Sequence, residues 1–225
     1  MAESDLHREE MVDLIAGLQR RYRETPDVYV AGNLFFYFVR GDPRSVVAPD
    51  VFLVRGVPKG HRKTYKLWEE GRVPSLVVEV TSESTSGEDL SKKKRIYEQL
   101  GVEEYFLHDP LGEYLSPRLQ GHRLVRDRYE PLSPTSDGSL LSRATGLTLK
   151  VEGLKLRLID TASGEPLPWV EELDLRALQA EERAEIEAAA RRVAEQRAER
   201  EAAARRAAEA ELARLRRELE GRKSD

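Results

Sequence analysis

The sequence predicts an α/β fold, in which a mixed sheet is flanked by helices and followed by a long charged helix. Two predicted strands, Leu76–Val80 and Glu104–His108, enclose a helical pattern at residues 88–100. Strand, helix and strand in this order imply a crossover between parallel strands. Residues 171–220 contain neither Gly nor Pro and are rich in Ala, Glu and Arg. We therefore assign residues 1–165 to a globular domain and residues 166–225 to a helical tail.

Composition excludes several classes of function. The chain has 225 residues, no cysteine and a formal net charge of −4. Thiolate metal sites, disulfides and cysteine nucleophiles are therefore excluded. The tail holds 13 basic and 15 acidic side chains, so neither part is a basic module that coats DNA. No apolar run approaches the ~20 residues that cross a bilayer, and the N-terminus lacks the apolar core of a signal peptide. These features predict a cytoplasmic protein without a membrane contact.

The first half of the domain reads as one helix followed by short strands. Met11, Leu14, Leu18 and Tyr22 recur at helical spacing, and His7 lies one turn earlier on the same face. Strands are predicted at residues 28–30, 34–39 and 51–54, with Gly32-Asn33 as the turn between the first two. The aromatic run at residues 35–38 favours sheet core over a platform for stacking nucleobases. Residues 82–87 read as a loop.

Later elements are a hairpin and the tail. Residues 147–151 and 154–159 read as a closing hairpin around Glu152-Gly153. The tail predicts a helix of roughly 70 Å at 1.5 Å per residue. Its apolar stripe is thin and holds no clean heptad register, so a weak coiled coil and a solvated single helix both stay open. A homodimer stays open for the same reason.

Two acidic residues stand out against apolar surroundings. Asp50 follows Pro49 at the start of a predicted strand, and Glu79 interrupts the apolar run Leu76–Val80. A charge in a buried strand needs a partner, and a metal ion is one such partner. Converging carboxylates bind Mg²⁺ or Mn²⁺, and the ion lowers the pKa of an attacking water. The alternatives are a turn aspartate for Asp50 and a buried ion pair for Glu79.

Four segments, in order, carry a resemblance to the Uma2 family of bacterial nuclease-like proteins. They are VAPDV at 47–51, VVEVTS at 77–82, D-x-x-x-K-x-x-x-Y at 89–97 and GVEEYFLHDP at 101–110. The resemblance covers most of residues 5–160. It implies a restriction-endonuclease-like PD-(D/E)XK fold, with Asp50, Glu79 and the carbonyl of Val80 as metal ligands. It also implies Mg²⁺ or Mn²⁺ as cofactor and DNA as substrate.

The pattern departs from the family's usual motif at one position. An E-x-K motif would place a lysine where Thr81 stands, and the Uma2-like pattern offers Lys93 instead. The helical wheel points to the same residue, because Lys93 falls at the centre of the apolar face of the predicted helix. That face consists of Leu90, Ile96, Tyr97 and Leu100. We therefore predict that Lys93 points inward and is catalytic, and that Lys92 and Lys94 point to solvent. An ion pair between Lys93 and Asp89 is the alternative.

Three functions follow from these residues. The first is a divalent-metal-dependent DNA endonuclease that uses Asp50, Glu79 and Lys93. The second is a nuclease-fold binding module that cleaves poorly or not at all and acts through its tail. The third is a structural protein with the tail as an oligomerisation rod. His7 and Glu10 on the first helix are site candidates, although packed core side chains are the favoured interpretation.

Overall fold

The computed structural model describes residues 4–81, 87 and 89–221. Four helices lie within these residues: α1 (Asp5–Arg21), α2 (Leu67–Glu70), α3 (Lys94–Leu100) and α4 (Val170–Gly221). A π-helical turn, Asp89–Lys93, leads directly into α3. The loop predicted at residues 82–87 lies, apart from Gly87, outside the described residues.

Twelve strands lie in the same part of the chain. The first six are β1 (Val28–Ala31), β2 (Phe36–Tyr37), β3 (Val46–Val47), β4 (Val51–Arg55), β5 (Tyr65–Lys66) and β6 (Leu76–Val80). The others are β7 (Glu104–His108), β8 (Leu119–Val125), β9 (Arg128–Pro131), β10 (Leu140–Ser142), β11 (Leu147–Glu152) and β12 (Lys155–Asp160).

A six-stranded mixed sheet forms the centre of the globular part, in the order β1-β4-β6-β7-β8-β9. The predicted crossover is confirmed, since β6 and β7 are parallel, with Val78 opposite Phe106. The neighbouring pairs are antiparallel. Two small sheets accompany it, in the orders β10-β11-β12 and β3-β2-β5. The predicted closing hairpin is β11 and β12, with Glu152 opposite Lys155.

The two faces of the central sheet carry separate apolar cores. One core joins α1 with the β10-β11-β12 sheet and includes Leu14, Leu18 and Val78. The other joins α3 with the β3-β2-β5 sheet and includes Phe36, Val77 and Tyr97. Because side chains alternate along a strand, Glu79 lies on the same face of β6 as Val77, the face that α3 covers.

The predicted turn at Gly32-Asn33 is wrong as a hairpin. β1 pairs with β4, whereas β2 pairs with β3 and β5. The run at residues 34–39 forms only the two-residue strand β2. Gly32 instead lies against the backbone of Asp50.

The tail is helical over Val170–Gly221. Residues 1–170 and 171–225 form separate compact units. Several apolar side chains of α4 are exposed, and Leu178 and Ile186 are each 63% exposed. No described helix is both long and apolar enough to cross a membrane.

Candidate active site

Asp50 and Glu79 meet because of the register between β4 and β6. Val51 lies opposite Val78 in this antiparallel pair, so the next residues outward are Asp50 and Glu79. Residues directly opposite in such a pair project from the same face of the sheet. The backbone N–H of Asp50 donates to Oε2 of Glu79 over 3.4 Å, and the N–H of Val80 donates to Oδ2 of Asp50 over 2.8 Å. The two predicted carboxylates therefore lie side by side where two neighbouring interior strands meet, and both are buried.

Gly32 fixes the backbone that carries Asp50. The N–H of Asn33 donates to the carbonyl oxygen of Pro49 over 2.8 Å. A Cβ atom on Gly32 would stand 1.9 Å from the carbonyl oxygen of Asp50 and 2.6 Å from the Ile15 side chain. Only a residue without a side chain allows this approach. The glycine is thus required by the site, not by a hairpin turn.

Glu79 is completely buried and has two polar partners from the helical segment above it. Lys93 Nζ donates to Oε2 over 2.9 Å, and the hydroxyl of Tyr97 donates to Oε1 over 2.7 Å. The Lys93 side chain is only 12% exposed. The inward orientation predicted for Lys93 is confirmed, while its catalytic role stays a prediction. The alternative pairing with Asp89 involves a side chain outside those described.

The neighbouring lysines differ from each other. Lys92 is exposed, as predicted. The prediction for Lys94 is wrong, since its ammonium lies 2.8 Å from Nε2 of His122 on β8. The helical wheel placed Lys94 at the flank of the buried face. His122 on β8 lies against that flank and contacts the lysine.

The surroundings of Asp50 and Tyr97 determine the protonation states of these two side chains. Burial opposes ionisation of Asp50, but hydrogen bonds from His7 and Val80, together with the charges of His7 and Lys93, lower its pKa below the usual value. Burial and the negative charge of Glu79 raise the pKa of Tyr97 well above its usual value. Tyr97 is therefore a neutral donor, and Asp50 is an anion near neutral pH.

Helix α1 brings two further ionisable residues to the same end of the sheet. His7 Nε2 lies 3.2 Å from Oδ1 of Asp50. Glu10, one turn later, places Oε1 2.5 Å from Nδ1 of His108 at the end of β7. Glu10 and His108 are completely buried. The sequence left His7 and Glu10 open as site residues; His7 lies on Asp50, and Glu10 lies on His108, the neighbour of Val80 across β6 and β7.

Sequence reasoning missed His108 as part of this cluster. It directly follows the three apolar residues 105–107 of a predicted strand, and Glu79 likewise interrupts the apolar run Leu76–Val80. The same argument from a polar residue in a buried strand would have identified it. Thr81 stands at the position of the expected lysine and is 4% exposed. Its hydroxyl donates to the carbonyl oxygen of His108 over 3.2 Å, so it fastens β6 to β7.

The donor set suits a small divalent cation. Within residues 4–81, 87 and 89–221, no three His, Asp or Glu side chains gather in a metal-binding arrangement. Mg²⁺, however, commonly takes one or two protein carboxylates and keeps several waters. Asp50 and Glu79 supply two such carboxylates. Each carboxylate oxygen has two lone pairs, so the hydrogen bonds described leave acceptor capacity on both groups.

Comparison with known proteins agrees with this architecture. Residues 1–157 match the model of the Uma2 family, described as "Putative restriction endonuclease". A solved structure with a similar fold is that of a putative nuclease belonging to DUF820 from Anabaena variabilis ATCC 29413. The two chains are 14% identical, with a TM-score of 0.51, and the match covers 68% of this chain and 82% of the other. No curated protein matches the chain.

Proposed function

Since the chain belongs to the Uma2 family, we propose that it is a divalent-metal-dependent endonuclease that hydrolyses phosphodiester bonds in DNA. One observation carries the proposal. The ammonium of Lys93, a half-buried side chain, lies 2.9 Å from the Glu79 carboxylate, and that carboxylate faces Asp50 across two paired strands. Two carboxylates and one ammonium, gathered on adjacent strands, are the groups that metal-dependent phosphodiester hydrolysis uses.

Asp50 and Glu79 would hold Mg²⁺ or Mn²⁺, with the Val80 carbonyl as a further ligand. When bound, the ion polarises the phosphate and supplies a nucleophilic water at neutral pH. The lowered pKa of Asp50 keeps that carboxylate ionised and available to a cation. His7, 3.2 Å from Oδ1, and the N–H of Val80, on Oδ2, hold the Asp50 side chain in one orientation.

Lys93 supplies the positive charge that the lysine of an E-x-K motif would provide and that Thr81 cannot. Its ammonium can donate to a phosphate oxygen or orient the attacking water, and it offsets the charge of the two carboxylates. Tyr97 holds the other oxygen of Glu79 through a neutral hydroxyl, so Glu79 keeps its position when Lys93 moves toward a substrate. A donor aimed at developing charge typically contributes about a hundredfold or more to turnover.

Nicking of supercoiled plasmid tests the proposal. The wild type is expected to nick DNA with Mg²⁺ or Mn²⁺ and to stop when EDTA is added. Asp50→Asn and Glu79→Gln are expected to be inactive, and Lys92→Ala, an exposed neighbour of Lys93, is expected to keep full activity. Equal nicking by all variants would refute the assignment. We further propose that the protein acts on DNA in the cytoplasm.

A second candidate function is a nuclease-fold binding module that cleaves poorly or not at all. The observation that favours it is that each oxygen of the two carboxylates already has a partner within the protein, with which a metal ion would compete for the carboxylates. These partners are His7, Val80, Lys93 and Tyr97. A protein that binds DNA without nicking it under any divalent ion would support this candidate against the first.

A further inference from the structure

The small sheet β3-β2-β5 presents aromatic rings on its outer face. Phe35, just before β2, is 57% exposed, and Tyr37 is half-buried. Their ring centroids lie 6.2 Å apart at an angle of 53°. We define these two residues as the aromatic face. Exposed phenylalanine is common when isolated, but a pair of rings on one strand beside a candidate site is a feature that calls for a function.

Strand geometry explains why this face is open. Phe36 and Tyr65 point to the opposite side, where their rings stack at 4.9 Å and both are almost fully buried. Alternation along β2 therefore sends Phe35 and Tyr37 outward. The aromatic run that the sequence assigned to the core is thus divided between core and surface.

The aromatic face is close to the candidate site both in the sequence and in the pairing of strands. Tyr37 pairs with Val46 on β3, and β3 ends three residues before Asp50. On the other side of Phe35, the N–H of Asn33 binds the carbonyl oxygen of Pro49. The backbone that carries these rings is therefore joined by hydrogen bonds to the segment that leads into Asp50.

The segment of the chain that carries this face is basic, which favours a polyanion as its ligand. Residues 33–73 carry eight basic and four acidic side chains, whereas the whole chain is net negative. Arg40, Arg44 and Lys63 are exposed. The contact between Arg44 and Asp42 is a surface pair at 3.4 Å, which contributes little energy and is easily replaced by a phosphate.

We propose that the aromatic face stacks an unpaired nucleobase of a DNA strand whose backbone is held by the surrounding basic side chains. The inference rests on the proposed function and adds that the substrate is single-stranded or locally unpaired at this point. Stacking on an aromatic ring tolerates any base, so it confers no sequence preference. A symmetric contact between two copies is disfavoured, because it would bring the same arginines of both copies together.

Fluorescence anisotropy with a labelled oligothymidylate, in EDTA, tests this directly. Phe35→Ala is expected to weaken binding about tenfold, within the range measured for loss of one stacked base. Phe35→Trp is expected to bind as the wild type does. Phe35→Leu, which keeps apolar area without a ring face, is expected to bind as weakly as Phe35→Ala. Leu154→Ala, which changes an exposed leucine (50% exposed) in the β11–β12 turn, is the control and should bind normally.

A blunt duplex of the same length separates stacking from general attraction. Its affinity is expected to change less than twofold in all variants. Unchanged oligothymidylate binding by Phe35→Ala, wild-type binding by Phe35→Leu, or equal losses for the two DNAs would overturn the inference. So would a change from dimer to monomer in light scattering of Phe35→Ala. Because no cleavage is needed, a wild type that fails to nick plasmid leaves this test readable; conversely, nicking with unchanged Phe35→Ala binding refutes only the stacking role.

Discussion

The backbone of Gly32 lies directly against the carbonyl group of Asp50, so closely that a Cβ atom would stand 1.9 Å from the oxygen. A left-handed backbone does not explain why glycine is needed here, since Gly32 is not among the residues with positive φ. Its requirement is therefore purely steric, and it couples the loop before β2 to the position of a candidate metal ligand.

Gly32→Ala is expected to lower the free energy of unfolding by about 1–3 kcal/mol, the usual cost of forcing atoms into a packed region. It should also reduce plasmid nicking, because Asp50 must move. Urea unfolding and the nicking assay measure both effects. Gly17→Ala is the control, since a Cβ there meets its nearest neighbour at 3.7 Å and a helical alanine is favoured by about 0.5–1 kcal/mol. Equal stability of the two variants would contradict the steric argument.

Lys93→Ala is expected to reduce turnover by about a hundredfold or more, the scale for one transition-state donor. Affinity for Mn²⁺ should stay the same or rise slightly, because the ammonium and the ion compete for the same negative potential. Single-turnover nicking and calorimetric titration measure the two quantities. Lys92→Ala should match the wild type or lose DNA affinity slightly in a salt-dependent way. Equal activity of Lys93→Ala and Lys92→Ala would remove Lys93 from the mechanism.

Asp50→Asn and Glu79→Gln are each expected to abolish calorimetric binding of Mn²⁺ while circular dichroism stays that of a folded protein. Both substitutions keep side-chain shape and remove the charge that attracts the cation. Glu104→Gln is a matched control, because Glu104 is a buried carboxylate (1% exposed) bonded to Ser142 and Arg123, away from the site. Unchanged Mn²⁺ affinity in both site variants would refute the ligand assignment.

His122 is expected to make stability depend on pH. Burial and the Lys94 ammonium lower its pKa to about 4, with Glu98 acting weakly in the other direction. Tyr105 and Tyr129 pack on its ring. Since the unfolded histidine binds a proton near pH 6.5 and the folded one near 4, the unfolded state takes up more protons between these values. Stability is thus fully present above pH 6.5 and is lost as pH falls toward 4.

The loss is measurable by urea unfolding of wild type and His122→Asn at pH 7 and pH 5. The wild type should lose about 2 kcal/mol more than the variant over this interval. Identical pH dependence of the two proteins would show that His122 does not remain neutral in the fold.

Removal of residues 171–225 is expected to leave a folded domain with the oligomeric state of the full chain. The indole N–H of Trp169 donates to the carbonyl oxygen of Leu156, and the Arg157 guanidinium lies 3.3 Å from its ring centroid, so the truncation keeps both contacts. Leu175, Leu178, Ile186, Val193 and Leu212 of α4 are exposed, and the sequence of the tail holds no clean heptad register. Light scattering measures the outcome; a dimer that becomes monomeric would identify the tail as a working coiled coil.

The sequence was sufficient for features that depend on local pattern. The strand around Glu79 follows from an apolar run that only Glu79 interrupts, and the inward direction of Lys93 follows from its place among Ile96, Tyr97 and Leu100. The wheel succeeded even though the segment before α3 is π-helical. The reason is that Lys93 directly precedes the regular turns that contain Ile96 and Tyr97.

Features that depend on docking between distant segments were not accessible. His7 and Glu10 lie on the buried face of α1, but their partners Asp50 and His108 are decided by how that helix crosses the sheet. Lys94 was predicted to point to solvent because a helical wheel represents one helix alone and leaves out its neighbour, strand β8, where His122 lies. Gly32 was read as a turn because its steric contact is with a residue 18 positions later.

The pairing of β4 with β6 has a consequence for how related chains can vary. Asp50 and Glu79 face each other because Val51 is opposite Val78, and this holds whatever the length of the chain between the strands. Insertions or deletions in residues 56–64 would leave the carboxylates together, whereas one residue inserted within β6 would turn Glu79 toward α1. Homologues should therefore be aligned on strand register, and a search that demands a fixed spacing between the two acidic residues would discard true relatives.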